Sequence, residues 1–275
     1  MATFHVMAGA GETIERPEVR RIHVSDVWDA LRAGFGDFWE KPSHIVFLAV
    51  IYPVVGVFLA AWTAGQNAFW LLYPLMSGFA LLGPVAAIGL YEISRRRELG
   101  LDTSWTHAFE VRNSPALPAI VAVGVLLVAL FIAWLLVAQG LYAWLFGLEP
   151  PASLGSFIDD VLTTWHGWAL IVLGNGIGFL FAVVALSVSV VSFPLLLDRD
   201  VGAVCAIQTS VRTVMPNPVP MAVWGLIVAG LLVLGSIPLF AGLAVVLPIL
   251  GHATWHVYRR TVVPPQGVVP RAVAA

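Results

Sequence analysis

Charged residues are scarce in this 275-residue chain, where they make up 11% of the sequence against 59% hydrophobic residues. A soluble domain carries about a quarter charged residues, so this chain cannot cover a globular surface with hydrophilic side chains. This composition excludes a soluble enzyme, a disordered chain and a nucleic-acid-binding protein. The single cysteine, Cys205, also excludes a disulfide framework and any multi-thiolate metal or iron–sulfur site.

Motifs that carry chemistry are also missing from the chain. The nucleophile elbow, the phosphate-binding loop, the zinc-protease helix motif and the dinucleotide fingerprint are each absent from a supporting context. Without a nucleophile or a phosphate cradle we expect no catalytic residue and no enzymatic activity. We likewise expect no cofactor, no metal ion and no nucleic acid partner.

Long stretches free of Asp, Glu, Lys and Arg dominate the sequence and predict its architecture. A helix needs about 20 apolar residues to cross a bilayer, and four uncharged stretches are long enough to hold one or two such helices. These stretches are 42–91, 113–148, 161–197 and 213–258. The first and last can each hold a pair of helices. The chain is therefore predicted to be all-α, a six-helix transmembrane bundle with spans at about 44–63, 70–92, 117–146, 168–197, 219–236 and 238–257.

The basic residues predict the orientation of these spans. All 14 Lys and Arg residues fall in four zones, which six spans place on one face: 16–41, 95–112, 199–212 and 259–271. The opposite face carries only Glu149, Asp159 and Asp160, on loops that include residues 147–167. By the positive-inside rule, both termini are predicted to be cytoplasmic.

The basic face is predicted to carry amphipathic helices at 25–40, 102–112 and 200–215. In the first of them Trp28, Leu31, Phe35 and Phe38 recur at helical spacing, which is typical of a helix lying at the inner membrane interface. We expect a polar N-terminal tail at 1–24, one membrane domain at 25–261 and a disordered tail at 262–275.

A cluster of polar residues at the cytoplasmic ends of the second and sixth spans is the predicted ligand or proton site. His252 and His256 are four residues apart and so share a helix face, and Glu92 lies at an equivalent depth in a possible internal repeat. A carboxylate beside an imidazole could relay protons or sense pH, and anchoring at the interface is the structural alternative. The neighbouring cytoplasmic charge cluster consists of Arg95, Arg96, Asp198, Arg199 and Arg259.

The fourth span carries small residues that allow helices to approach closely. Gly174 and Gly178 form a G-x-x-x-G pair, which predicts helix–helix contact or self-association through that face. Asn175, which lies between them, is predicted to bond across helices or, alternatively, to line a substrate path.

Four strings in the chain form a recognisable set: Asp37-Phe38-Trp39, Gly89-Leu90-Tyr91-Glu92, Phe193-Pro194-Leu195-Leu196-Leu197-Asp198-Arg199 and Gly251-His252-Ala253-Thr254-Trp255-His256-Val257-Tyr258-Arg259. Together they resemble the domain of unknown function 2189 family of predicted bacterial integral membrane proteins. The resemblance extends over about 25–260. It implies a protein of the bacterial cell inner membrane, and it supplies no catalytic residues.

The sequence favours a non-enzymatic accessory or scaffold subunit of a larger membrane complex. A small proton- or solute-handling transporter or channel that uses Glu92 and His256 is the alternative, and a redox cofactor on His252 and His256 is a third possibility. A transporter requires a polar cavity near the bilayer midplane, whereas a scaffold requires its polar groups to be sealed by helix packing.

Overall fold

The protein, a computed structural model, is described over residues 17–40, 68–238 and 240–264. Within these ranges it is helical, with no β-strand and a single bridge between Val19 and Val262. Two 3₁₀ helices, Ala80–Leu82 and Trp105–Asn113, lie among the described elements. The α-helices are α1 Val24–Glu40, α2 Phe69–Phe79, α3 Gly83–Ala86, α4 Ile88–Glu98, α5 Leu117–Phe146, α6 Leu154–Thr163, α7 Trp165–Ser189, α8 Ser192–Asp198, α9 Gly202–Val214, α10 Pro218–Ser236 and α11 Leu243–Thr261.

Four stretches of helix in the described ranges are long and apolar enough to cross a membrane. They are Phe69–Glu98, Leu117–Phe146, Trp165–Asp198 and Pro218–Ser236. The predicted first span, 44–63, lies outside the described residues. The predicted sixth span, 238–257, overlaps α11, which is not among the four because polar and charged residues fill its C-terminal half. The six-helix bundle and the interfacial position of the cytoplasmic helices remain predictions.

Proline explains the break between α7 and α8. Pro194 has no backbone N–H to donate to the carbonyl of Val190, so the α-helical ladder is interrupted there. At the break the N–H of Val191 donates instead to Ser210 Oγ of α9 at 3.2 Å, which satisfies a buried donor. This hydrogen bond connects the break between α7 and α8 to α9.

The N-terminal part of the described chain packs lengthwise along α11. The pairing is antiparallel, since Gly34 lies against Ala253 while Arg20, upstream of α1, donates its N–H to the carbonyl of Thr261 at 2.8 Å. A Cβ built on Gly34 would lie 2.4 Å from the Ala253 nitrogen, so only glycine permits this approach. Val262, which the sequence assigns to a disordered tail, is buried in this pairing.

Helix α1 buries only part of its predicted apolar stripe within the protein. Its buried residues are Val27, Ala30, Gly34 and Phe38, whereas Trp28 and Phe35 of the predicted apolar stripe are about half exposed. Gly34 lies on the inner face where α11 approaches most closely, at Ala253.

The packed core lies at the end of the molecule that carries the charges. This charged end comprises α1, α8, α9, the C-terminal parts of α4 and α11, the N-terminal parts of α5 and α10, and the helix Trp105–Asn113. Phe193, Leu195, Trp224, Trp255 and Tyr258 are fully buried there. The opposite end comprises the C-terminus of α5, α6 and the N-terminus of α7, and its apolar side chains are largely exposed.

Candidate functional site

Asp37 is the centre of a buried polar cluster that joins α1, α4 and α11. Its Oδ2 accepts a hydrogen bond from Ser94 Oγ at 2.6 Å and lies 2.9 Å from His256 Nε2, and its Oδ1 pairs with Arg97. His252 Nδ1 lies 2.8 Å from the same Ser94 Oγ. Asp37, Ser94, Arg97, His252 and His256 are called the Asp37 cluster below.

The donor and acceptor atoms of each side chain determine the direction of every hydrogen bond in this cluster. Ser94 has one hydroxyl hydrogen, which it donates to Asp37, so its oxygen accepts from the Nδ1–H of His252. His256 faces a carboxylate oxygen and therefore donates through Nε2–H. The result is a continuous chain in which two imidazoles flank one carboxylate, the first through a serine hydroxyl and the second directly.

The charge of Asp37 is stabilised despite burial. Burial by itself raises the pKa of the Asp37 carboxyl, but the hydrogen bond and the charge of His256, followed by the Ser94 hydrogen bond, outweigh it. The net pKa of Asp37 is below its ordinary value, so the carboxylate is ionised at neutral pH. A buried carboxylate of this kind requires its partners, because removing them would leave a desolvated charge.

A second cluster surrounds Arg259 on the next turn of α11. The guanidinium donates to Glu98 Oε2 at 2.8 Å and to both oxygens of Asp198, at 2.9 and 3.1 Å. Tyr258 donates its hydroxyl to Asp198, and the Trp255 indole donates to Glu98 at 3.0 Å. The predicted charge-cluster residues Asp198 and Arg259 are therefore brought together, in a bidentate pair that ties α8 to α11.

Glu92 does not meet His256. Its carboxylate pairs with Arg95 Nε at 3.1 Å and lies 3.8 Å from Arg96 Nη1, both on its own helix. No hydrogen bond or ion pair joins Glu92 to His256 in the described part of the chain. The carboxylate that sequence reasoning sought beside this histidine is Asp37.

An open cavity of about 390 Å³ lies beside Glu92, where the ends of α4 and α8 meet the start of α5. Charged groups of both signs line it, since Arg95, Arg96 and Arg199 face Glu92 and the neighbouring acidic residues Glu110, Asp198 and Asp200. It lies at the charged end and not within the middle of the apolar helices.

Two further groups complete the charged end. His107 bridges Glu110, 2.6 Å from its Nδ1, and Asp102, 2.9 Å from its Nε2, while Arg96 pairs with Glu110 at 2.8 Å. The hydrogen bonds to Glu110 and Asp102 raise the pKa of His107. Arg199 contacts the carbonyl of Val263 and lies 3.5 Å from Asp198.

Polar side chains within the membrane-spanning stretches bond to neighbouring helices. Trp70 Nε1 donates to Gln139 Oε1 at 2.7 Å, and Tyr73 donates its hydroxyl to Asn175 Oδ1 at 2.7 Å. Asn175 also donates to the carbonyl of Ile171. Asn175 thus makes the helix-to-helix bond that was one of its two predicted roles.

The glycine pair of α7 packs within the chain. A Cβ on Gly178 would lie 3.0 Å from the Trp134 ring of α5, and one on Gly174 would lie 3.8 Å from Leu141. This is the helix–helix contact that the glycine pair predicts, and self-association through this face stays a prediction.

Asn217 is a structural residue that sequence reasoning did not single out. Its Oδ1 accepts from the N–H of Ile22 at 2.8 Å, and its Nδ2 donates to the carbonyl of Arg20 at 3.0 Å. The side chain is buried and clamps the N-terminal segment to the start of α10. Its position just before Pro218 was the available signal, because asparagine before a helix-opening proline is well suited to bond local backbone.

The described residues contain no group of three His, Cys, Asp or Glu side chains that could hold a metal ion.

Apolar helices with exposed surfaces, joined to a compact charged end, define a helical integral membrane protein. Residues 72–198 match the model of a family described as "Predicted integral membrane protein (DUF2189)". The chain thus resembles that family as the sequence indicated, although the strings at 37–39 and 251–259 lie outside the match. Comparisons with curated proteins and with solved structures gave no match.

Proposed function

We propose that this chain is a non-enzymatic accessory or scaffold subunit of a membrane complex. The observation that carries the proposal is that many polar and charged groups of the described charged end pair with one another, while α5 and α7 leave apolar surfaces uncovered. Asp37 and Asp198 each have three side-chain partners. Phe179 and Leu180 of α7 are more than half exposed. A rigid, internally paired end with long apolar flanks is suited to holding neighbours in place.

The proposed setting is the bacterial inner membrane, with six spans and both termini in the cytoplasm. Support comes from the basic residues, because Arg95, Arg199 and Arg259 all belong to the charged end. The α6 helix at the opposite end carries only acidic charges. Such one-sided placement matches the positive-inside rule, with the charged end in the cytoplasm.

Purification with native lipids tests the scaffold role. The tagged chain is extracted into nanodiscs from its own membranes, and co-purifying proteins are quantified by mass spectrometry. We expect a stoichiometric partner that is lost when Phe179 and Val183 on the α7 face become alanine. Replacing Leu226 and Val233 with alanine is the matched control for apolar truncation, because both are exposed on α10, outside the α5 and α7 surfaces. Recovery of the chain alone from native membranes would contradict the scaffold role.

Proton handling is the second candidate, favoured by the hydrogen-bonded chain His252–Ser94–Asp37–His256. Donor–acceptor distances of 2.6 to 2.9 Å along this chain are suited to proton exchange. In this version Asp37 replaces Glu92 as the carboxylate partner. Its Arg97 pair opposes the role, because a neighbouring cation keeps the carboxylate ionised.

Proteoliposomes that contain a pH-sensitive dye separate the two candidates. Proton handling requires faster pH equilibration than in empty vesicles, abolished by Asp37→Asn and kept by Asp29→Asn, which changes an exposed acid of the same helix. Glu92→Gln should leave the rate unchanged. Wild-type vesicles no more permeable than empty ones would exclude this candidate and leave the scaffold proposal intact.

A further inference from the structure

The α6 helix at the opposite end has an exposed apolar side that its own fold does not use. Leu154, Ile158 and Leu162 recur at i, i+4 and i+8 and are 45%, 47% and 56% exposed. Residues at this spacing lie on one helix face. The sequence had assigned this region to a loop, and the helix forms because Ser153 and Ser156 make a reciprocal capping box at its start.

Three sectors of α6 face three different surroundings. Phe157 points towards the bundle, where its ring packs against Tyr142 of α5 with a centroid distance of 6.2 Å. Asp159, Asp160 and Thr163 lie on the polar side of the helix. The exposed leucines and isoleucine form the remaining sector, next to Phe157 and away from the acids.

The orientation of α6 is fixed by its junction with α7. A Cβ on Gly167 would lie 2.2 Å from the carbonyl oxygen of Val161, so the two helices meet at their backbones. The Trp168 indole also donates to the carbonyl of Leu162 at 3.1 Å. With one end held in this way, α6 cannot rotate its apolar side into the protein.

The α6 helix lies at the end of the apolar helices, where a membrane boundary is expected. It connects the end of one candidate span, Phe146, to the beginning of the next, Trp165. The indoles of Trp144, Trp165 and Trp168 are exposed around it, and exposed tryptophans at helix ends are typical of the aromatic belt at a bilayer interface. The exposed side of α6 is therefore continuous with the exposed apolar surfaces of α5 and α7.

We propose that α6 is an interfacial lipid-binding helix that inserts Leu154, Ile158 and Leu162 into the leaflet opposite the charged end. Its surface fits zwitterionic headgroups. Membrane-surface helices that bind anionic lipids carry Lys and Arg on their polar face, whereas α6 carries only Asp159 and Asp160. Anionic lipids should therefore repel it. The inference requires the spans but neither the scaffold nor the proton-handling role.

Spin labels in nanodiscs made of phosphatidylcholine test the insertion. On a Cys205→Ser background of the full chain, single cysteines are placed by Ile158→Cys and Leu162→Cys, with Asp159→Cys and Thr163→Cys as matched controls. We expect labels at 158 and 162 to be severalfold more accessible to oxygen than to a water-soluble nickel chelate, and the control labels to show the reverse. Equal ratios at all four positions would overturn the proposal.

Two further measurements distinguish lipid contact from protein contact and test the headgroup preference. Spin–spin broadening at 158 that disappears on dilution with unlabelled protein would show that a second copy of the chain covers this face, and would overturn lipid insertion. Replacing part of the phosphatidylcholine with phosphatidylglycerol at low salt should make the label at 158 shallower, and Asp159→Asn with Asp160→Asn should remove that change. A label depth independent of lipid charge would overturn the preference for zwitterionic headgroups.

Discussion

At the charged end the helices bury large side chains as a soluble protein does, whereas the same helices leave them exposed towards the opposite end. Phe193 of α8 has no exposed surface, while Phe179 of α7, earlier in the same membrane-spanning stretch, is 66% exposed. Polar groups follow the same division, with networks at the charged end and single bonds elsewhere. The contrast indicates that water drives packing at one end and that lipid replaces protein contacts along the rest.

Truncating one phenylalanine in each region and comparing the losses of unfolding free energy is the most direct test of this contrast. Phe193→Ala should lower the free energy of unfolding by about 3–5 kcal/mol, because it leaves a cavity in a packed core. Phe179→Ala should cost about 1 kcal/mol or less, since detergent or lipid fills the space. Thermal unfolding of both variants in the same detergent measures the difference. Equal losses would mean that the α7 face is covered by protein.

Disrupting the close contact between the backbones of α1 and α11 should cause the next largest loss of stability. Gly34→Leu forces a side chain against the backbone of Ala253 and should cost about 3 kcal/mol. Gly36→Leu, two residues on, meets no atom within 4 Å and should be neutral or slightly stabilising. Melting temperature and monodispersity report both. A neutral Gly34→Leu would contradict the close pairing of the two helices.

Removing the buried charge of Asp37 should have a smaller effect. Asp37→Asn retains the shape but weakens the contacts with Arg97 and His256, at about 2 kcal/mol. Asp29→Asn is the control, because its exposed pairs with Arg32 and Arg260 are worth about 0.5 kcal/mol. Denaturant midpoints should separate the two variants. If both behave alike, the Asp37 cluster is not a structural clamp.

Removing the interhelical hydrogen bond of Gln139 tests how much one polar contact contributes to stability in the apolar region. Gln139→Leu removes the acceptor of the Trp70 indole and should cost about 0.6 kcal/mol, the average for polar bonds between membrane helices. Unfolding in mixed micelles measures it. A loss as large as that of Asp37→Asn would remove the distinction between the two regions.

The smallest effect expected is a change with pH in the helix Trp105–Asn113. Because contacts with Glu110 and Asp102 raise the pKa of His107, its stabilisation is complete below the ordinary histidine pKa of about 6.5 and is lost as pH rises through the raised value. Hydrogen exchange of 105–113 should speed up over that range beyond the intrinsic rate. His107→Gln should abolish the extra dependence, and its persistence in that variant would assign it to another group.

Much of the fold could be predicted because lipid imposes a simple rule on sequence. Uncharged stretches and the positions of arginines predicted apolar helices ending at a charged face, and His252 and His256 were correctly grouped on one helix face. The partner of His256 could not be predicted. Asp37 lies 219 residues away on another helix, so its contact with His256 depends on how α1 packs against α11.

Composition and charge by themselves determined that this chain is a helical membrane protein and which ends of its helices carry the polar groups. They suffice because the cost of desolvating charges acts on each segment independently of its neighbours. Tertiary structure decided which groups pair there, that α1 lies along α11, and that a helix with an exposed apolar side forms between Phe146 and Trp165. Those outcomes depend on close contacts between segments distant in the chain, such as Gly34 on Ala253, which no local pattern encodes.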